Sequence, residues 1–185
     1  MLLLAGLAMA GCREAAPPPA PPMHGPPTPE SITAAAVAAV AAAPWDSDPT
    51  GWGALCSPRK PCDTIFIEPR IVELPSQAPA FFVPERRPLA VALDPSGFDR
   101  SALPGRHLVF GSWPECSARR DQRTWGTSRV ACVALGVAGL DTARPDAMTF
   151  AFMVLTPGKG LSWPRVRVLR PQGTWRGRVL SNASE

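Results

Sequence analysis

The chain has 185 residues, a formal net charge of +4, 24 Pro, five Cys and no Tyr. That length suits one domain plus a tail, and so modest a charge gives no reason to expect a nucleic-acid partner. Lys60 and Lys159 are the only Lys among 19 basic residues. This bias toward Arg most simply reflects a GC-rich genome.

Residues Leu2 to Ala10 are apolar, small and uncharged. Such a run has the length of a signal h-region and falls short of the roughly 20 apolar residues needed to span a bilayer. It leads into Leu7-Ala8-Met9-Ala10-Gly11-Cys12, which resembles the lipobox of bacterial lipoproteins. The resemblance covers only these six residues. It implies a signal peptide over 1–11, cleavage before Cys12, a diacylglycerol on the Cys12 sulfur and acylation, such as palmitate, on its new amino group. Acyl chains contribute about 0.8 kcal/mol per buried CH2 to holding a protein on a membrane. In that family the next residue guides sorting. Arg13 is not the Asp of inner-membrane retention, so the expected location is the cell envelope, with the outer membrane favoured. An ordinary signal peptide or a buried apolar strand are the alternatives.

Residues 12–28 form a Pro-rich linker that includes His24. A polyproline II chain rises about 3.1 Å per residue, so the linker holds a domain roughly 50 Å from its anchor. Residues 29–43, PESITAAAVAAVAAA, predict one Ala-rich helix. Thr28 can cap it, Pro29 suits its first position, Glu30 favours the positive end and Pro44 stops it. Ile32, Val37 and Val40 fall on one thin apolar arc, so light packing is expected.

From 44 to 185 the pattern is a single β-rich domain. Strands are predicted at 64–73, 80–83, 88–93, 106–113, 129–138, 147–155, 162–169 and 174–180. Pro69 argues for an edge position or a bulge in the first. The run 147–155 is apolar on both faces and should be central. The fold class is mainly β: a small antiparallel sandwich or partly open barrel with one N-terminal helix. The alternative, on element order alone, is an α+β cone similar to nuclear-transport-factor-2-like domains.

If Cys12 carries lipid, Cys56, Cys62, Cys116 and Cys132 remain. An exported domain meets oxidising conditions, so two disulfides are expected. Local pairing, Cys56–Cys62 and Cys116–Cys132, is favoured because the first loop is short and turn-rich and the second ties an Arg-rich loop to its following strand. Loop-closure entropy assigns these about 2.5 and 3 kcal/mol. The spacings do not match C-x2-C zinc pairs, and His107 is the only histidine of the domain, so no metal is expected. There is no C-x-x-C redox motif.

Signs of catalysis are sparse. Asp46-Ser47-Asp48-Pro49-Thr50-Gly51 starts like a calcium loop, but its twelfth position is Ser57 rather than Glu, so it reads as a turn. Thr156-Pro157-Gly158-Lys159-Gly160 lacks the spacing of a phosphate loop and reads as a hairpin. His107 is a lone strand histidine, and Asp94 and Asp99 flank Pro95 and Gly97, where carboxylates usually cap turns. The six Trp, at 45, 52, 113, 125, 163 and 175, are spread along the chain as core residues would be. No catalytic residue or cofactor is indicated.

One stretch stands out. SWPRVRVLRPQGTWRGRVL predicts a hairpin around Pro171-Gln172-Gly173. With Val168 facing Trp175, Val166 and Val179 share the buried side. Arg165, Arg167, Arg176 and Arg178 then share the other, with Arg167 opposite Arg176 and Arg165 opposite Arg178. Like charges set opposite one another are unfavourable, and an anion would offset them. Solvated Arg stems over apolar surface are the plainer explanation. The sequence therefore points to a lipid-anchored envelope protein with a non-catalytic binding or structural role. Its partners would be the membrane, through the lipid, and an anionic envelope surface or a protein. The alternative is a ligand-binding or enzymatic domain with a pocket in a curved sheet, near His107 and Asp94 or Asp99.

Overall fold

The structure, a computed structural model, describes residues 27–47, 50–51, 53–59, 61–74, 89–98, 101, 103–119, 129–139, 144–157 and 160–184. The signal peptide, Cys12, most of the Pro-rich linker with His24, the strand expected at 80–83, Asp48, Trp52, Lys60, Asp99, Trp125 and Lys159 lie outside these residues.

The described chain runs α1 (Pro29–Ala42), β1 (Thr64–Leu74), β2 (Leu89–Ala92), β3 (His107–Phe110), α2 (Trp113–Arg119), β4 (Val130–Ala138), β5 (Ala147–Thr156), β6 (Gly160–Leu169) and β7 (Arg176–Ser184). The fold is mainly β with one N-terminal helix, as expected. Its strands form one mixed sheet of order β2-β1-β4-β5-β6-β7 that does not close into a barrel. β3 lies beside the N-terminal half of β1, and β2 beside the C-terminal half. β4 to β7 are an antiparallel meander.

β1 is parallel to both β3 and β4, with β1 between them. β3 and β4 thus run parallel to one another, and α2 lies in the connection between them. Sequence reading extended the strand at 106–113 through the start of α2 and so missed this helix. Its signal was present as the capping box Ser112-Trp113-Pro114-Glu115. The Glu115 amide donates to Ser112 Oγ at 3.4 Å, and the Ser112 amide donates to Glu115 Oε2 at 2.8 Å. Donation to the carboxylate from the Ser112 amide first and the Ser112 hydroxyl second holds the Glu115 carboxyl below the usual range. At the same end, the Trp113 amide donates to buried Glu68 Oε2 at 2.6 Å, and Arg70 pairs with Glu68 Oε1 at 2.5 Å. Cys116 of α2 is bonded to Cys132 of β4, and Cys56 to Cys62, the local pairing the sequence suggested.

Pro69 sits at a bulge. The register of β1 against β4 breaks between Ile67 and Ile71, because Pro offers no N–H to the ladder. β5 is central as expected, with Phe150, Ala151, Phe152 and Val154 fully buried between β4 and β6.

α1 packs far more closely than its thin apolar arc suggested. Ala35, Ala36, Ala39 and Val40 are all fully buried against Val166, Val168, Val179 and Phe150. The contact surface is made of alanines, whose small side chains let the helix backbone approach the sheet. A Cβ added at Gly177 of β7 would collide with Ala42 Cβ and stand 2.9 Å from the Ala38 carbonyl oxygen. Thr28 caps the helix by accepting from the Ser31 amide at 3.2 Å. Past its other end, the buried Trp45 indole N–H donates at 2.8 Å to the Val40 carbonyl, which also accepts the Ala43 amide at 3.2 Å.

Candidate anion-binding face

Alternation along the strands decides which side chains face away from α1. Val166, Val168 and Val179 join the core beneath the helix. Arg165, Arg167, Arg176 and Arg178 therefore share the opposite face of the β6–β7 hairpin. The sequence reading had this division of faces right and the pairing wrong. Arg167 stands opposite Arg178, whereas Arg165 faces Ser181 and Arg176 faces Leu169. Val168 meets Gly177, not Trp175.

The two-residue shift originates in the turn. Gln172 adopts φ 54°, Gly173 φ 86°, and the Thr174 amide closes on the Pro171 carbonyl at 3.3 Å. Arg170 Nε donates to the Gly173 carbonyl at 2.9 Å, and its guanidinium lies 5.9 Å from the Trp175 ring centroid. Thr174 and Trp175 thus belong to the loop, and pairing starts at Arg176. Farther along, Leu180 is the extra residue of a bulge at Arg165/Val166 and is 48% exposed. Without that bulge Arg165 would face Leu180.

Arg167, Arg176 and Arg178 are exposed and Arg165 is half-buried. The Nε of Arg165 is enclosed without a hydrogen-bond partner among the described residues. Strands β4 to β7 contain these four Arg and no Asp, Glu or Lys. Ala138, Thr149, Arg167 and Arg178 lie abreast across β4, β5, β6 and β7 as one rung of the sheet. The guanidiniums therefore border a floor of small side chains and have no carboxylate alongside within these strands.

Two surface clefts flank this region. One, of about 560 Å³, lies at the C-terminal end of α1 between Ala42, Trp45, Leu103, Arg106 and Arg178. Its Arg106 is committed elsewhere. It pairs with Asp46, donates through Nε to the Cys62 carbonyl at 3.2 Å, and sits 5.8 Å from the Trp45 ring centroid. The other cleft, of about 270 Å³, lies where β4 ends and β5 begins, lined by Gly139, Arg144, Met148, Thr149 and Arg167. Arg144 and Thr149 were not singled out from sequence. Thr149 faces Arg167 only through the β5–β6 register, and no spacing rule links Arg144 to either.

Of the other sequence candidates, Asp94 and His107 lie among the described residues. Asp94 caps a 3-10 turn by accepting from the Ser96 amide at 2.9 Å and hydroxyl at 2.7 Å. The Ser96 hydroxyl, then its amide, hold the Asp94 carboxyl below the usual range. His107 is exposed on β3, and its amide donates to the Asp63 carbonyl at 2.7 Å. Among the described residues no group of His, Cys, Asp and Glu is placed to hold a metal ion. Compared with known protein families, curated proteins and solved structures, the chain matches none.

Proposed function

We propose that the chain is a lipid-anchored protein of the cell envelope, favouring the outer membrane. Its role is non-catalytic, and the arginine-bearing face of its sheet docks on an anionic envelope surface. The lipobox-like residues 7–12 and the odd cysteine count support the anchor. The observation that carries the docking reading is Arg167 beside Arg178 on strands β4 to β7, which themselves contain no acidic residue. Two guanidiniums held side by side repel, and a multivalent anion relieves this while accepting paired hydrogen bonds. Basic groups near an anionic leaflet contribute about 1 kcal/mol each, within a Debye length of the surface. The space between α1 and the sheet is filled by buried apolar side chains, which supports surface contact over chemistry in an interior pocket.

Two experiments test the parts separately. Fractionation and mass spectrometry of the parent and of Cys12→Ser test the anchor: a parent free of lipid, or a variant still fully membrane-bound, removes it. Binding of full-length Cys12→Ser to phosphatidylglycerol and phosphatidylcholine vesicles tests the face. Equal binding to both, or binding unchanged when the four arginines become Gln, reduces it to ordinary solvated surface.

A further inference from the structure

We infer that the cleft between Arg144 and Arg167 is a binding site for a single phosphoryl group. The inference rests on reading the arginine face as anion-binding and assigns its best-formed site. Three donors of different elements converge there. Arg144 comes from the residues preceding β5, next to its bridge to Ala147, Thr149 from β5 and Arg167 from β6. Thr149 is half-buried, stands directly opposite Arg167 in the ladder and lines the cleft with both arginines. Neither Arg has an ion-pair partner among the described residues, in contrast to Arg106 in the larger cleft.

Chemistry and size narrow the ligand. Among the described residues no carboxylate lines the cleft, and two guanidiniums match the charge of a phosphate dianion and can each bond it through two N–H groups. At about 270 Å³ the cleft is near the lower bound of ligand pockets and takes a small anion or one headgroup, not a large organic molecule. The remaining described lining, Ala138, Gly139, Ala147 and Met148, is apolar or backbone and adds no competing charge. A phosphate ester of a lipid and free phosphate share this chemistry.

The test uses full-length Cys12→Ser. Calorimetric titration with inorganic phosphate at low salt should give one saturable site. Arg144→Gln and Arg167→Gln should each weaken it about tenfold or more, and Thr149→Val less. Arg176→Gln, on the same face but outside the cleft, should change it less than about twofold. Phosphatidic acid vesicles form the second arm. Binding that depends on Arg144 in vesicles but not with phosphate assigns a lipid headgroup, and the reverse assigns free phosphate. If Arg144→Gln alters neither, with its near-ultraviolet circular dichroism unchanged, the site is overturned while docking through the other arginines can still stand. If all four face arginines prove dispensable for vesicles yet phosphate binding still requires Arg144, the docking reading falls and the cleft survives.

Discussion

Arg167 and Arg178 stand directly opposite each other on adjacent strands, both exposed. Each raises the cost of the other. Replacing Arg178 with Glu turns a repulsive cross-strand pair into an attractive one, so Arg178→Glu should stabilise the fold by about 0.2–1 kcal/mol at low salt. Urea denaturation would show the gain, which should shrink as salt rises. The same variant should bind anionic vesicles less well. A destabilised Arg178→Glu would mean that the pair is already compensated within the chain.

Gly177 is where α1 touches the last strand. A methyl group there meets Ala42 Cβ and the Ala38 carbonyl, so Gly177→Ala should cost about 1–3 kcal/mol. Ala42→Gly vacates one of the two obstacles. The double variant should therefore lose less than the sum of the single losses, a coupling that a thermal denaturation cycle measures.

The bond between Cys116 and Cys132 ties a helix of one or two turns to the sheet. So short a helix does not hold itself together in water. Replacing both cysteines with Ser should cost about 3 kcal/mol in global stability. Hydrogen exchange should accelerate first in the amides of 113–119, ahead of those in β5.

Glu115 contributes to stability through ionisation. Its folded carboxyl lies below its ordinary value because Ser112 bonds the charged form. Stability from this source is present above the unfolded pKa and is lost as pH falls through the lowered folded one. The stability difference between the parent and Glu115→Gln should thus be largest near neutral pH and shrink in acid. A difference that persists at pH 2 would assign the loss to shape rather than charge.

Strand positions were readable because burial imposes a period of two, and a turn chemistry of Pro and Gly bounded each run. The same period placed the four arginines on one side. Register was harder. It depended on Gln172 and Gly173 taking left-handed backbone conformations and on one extra residue, Leu180, neither of which changes hydrophobic pattern. α2 was lost because Trp113 and Cys116 resemble strand residues in a short window, although the Ser112–Glu115 box marked its start. Losing the helix also hid the parallel pairings of β1. The depth of α1 was underestimated because alanine counts for little in an apolar arc, yet its absence of bulk is what brings the helix down onto Gly177.

The contact between Ala42 and Gly177 also imposes an order of events. α1 is among the first parts of the described chain to be made and β7 is the last, and the part of the helix seat that Gly177 provides forms only when that strand is in place. β1, likewise, waits for β3 and β4 to arrive on its two sides. A partial chain emerging N-terminus first therefore keeps part of its apolar helix face uncovered until β7 appears, and contacts of such long sequence separation form slowly. Until β7 appears the glycine that receives Ala42 is missing, so the exposed apolar face of α1 is the surface most in need of a holding chaperone.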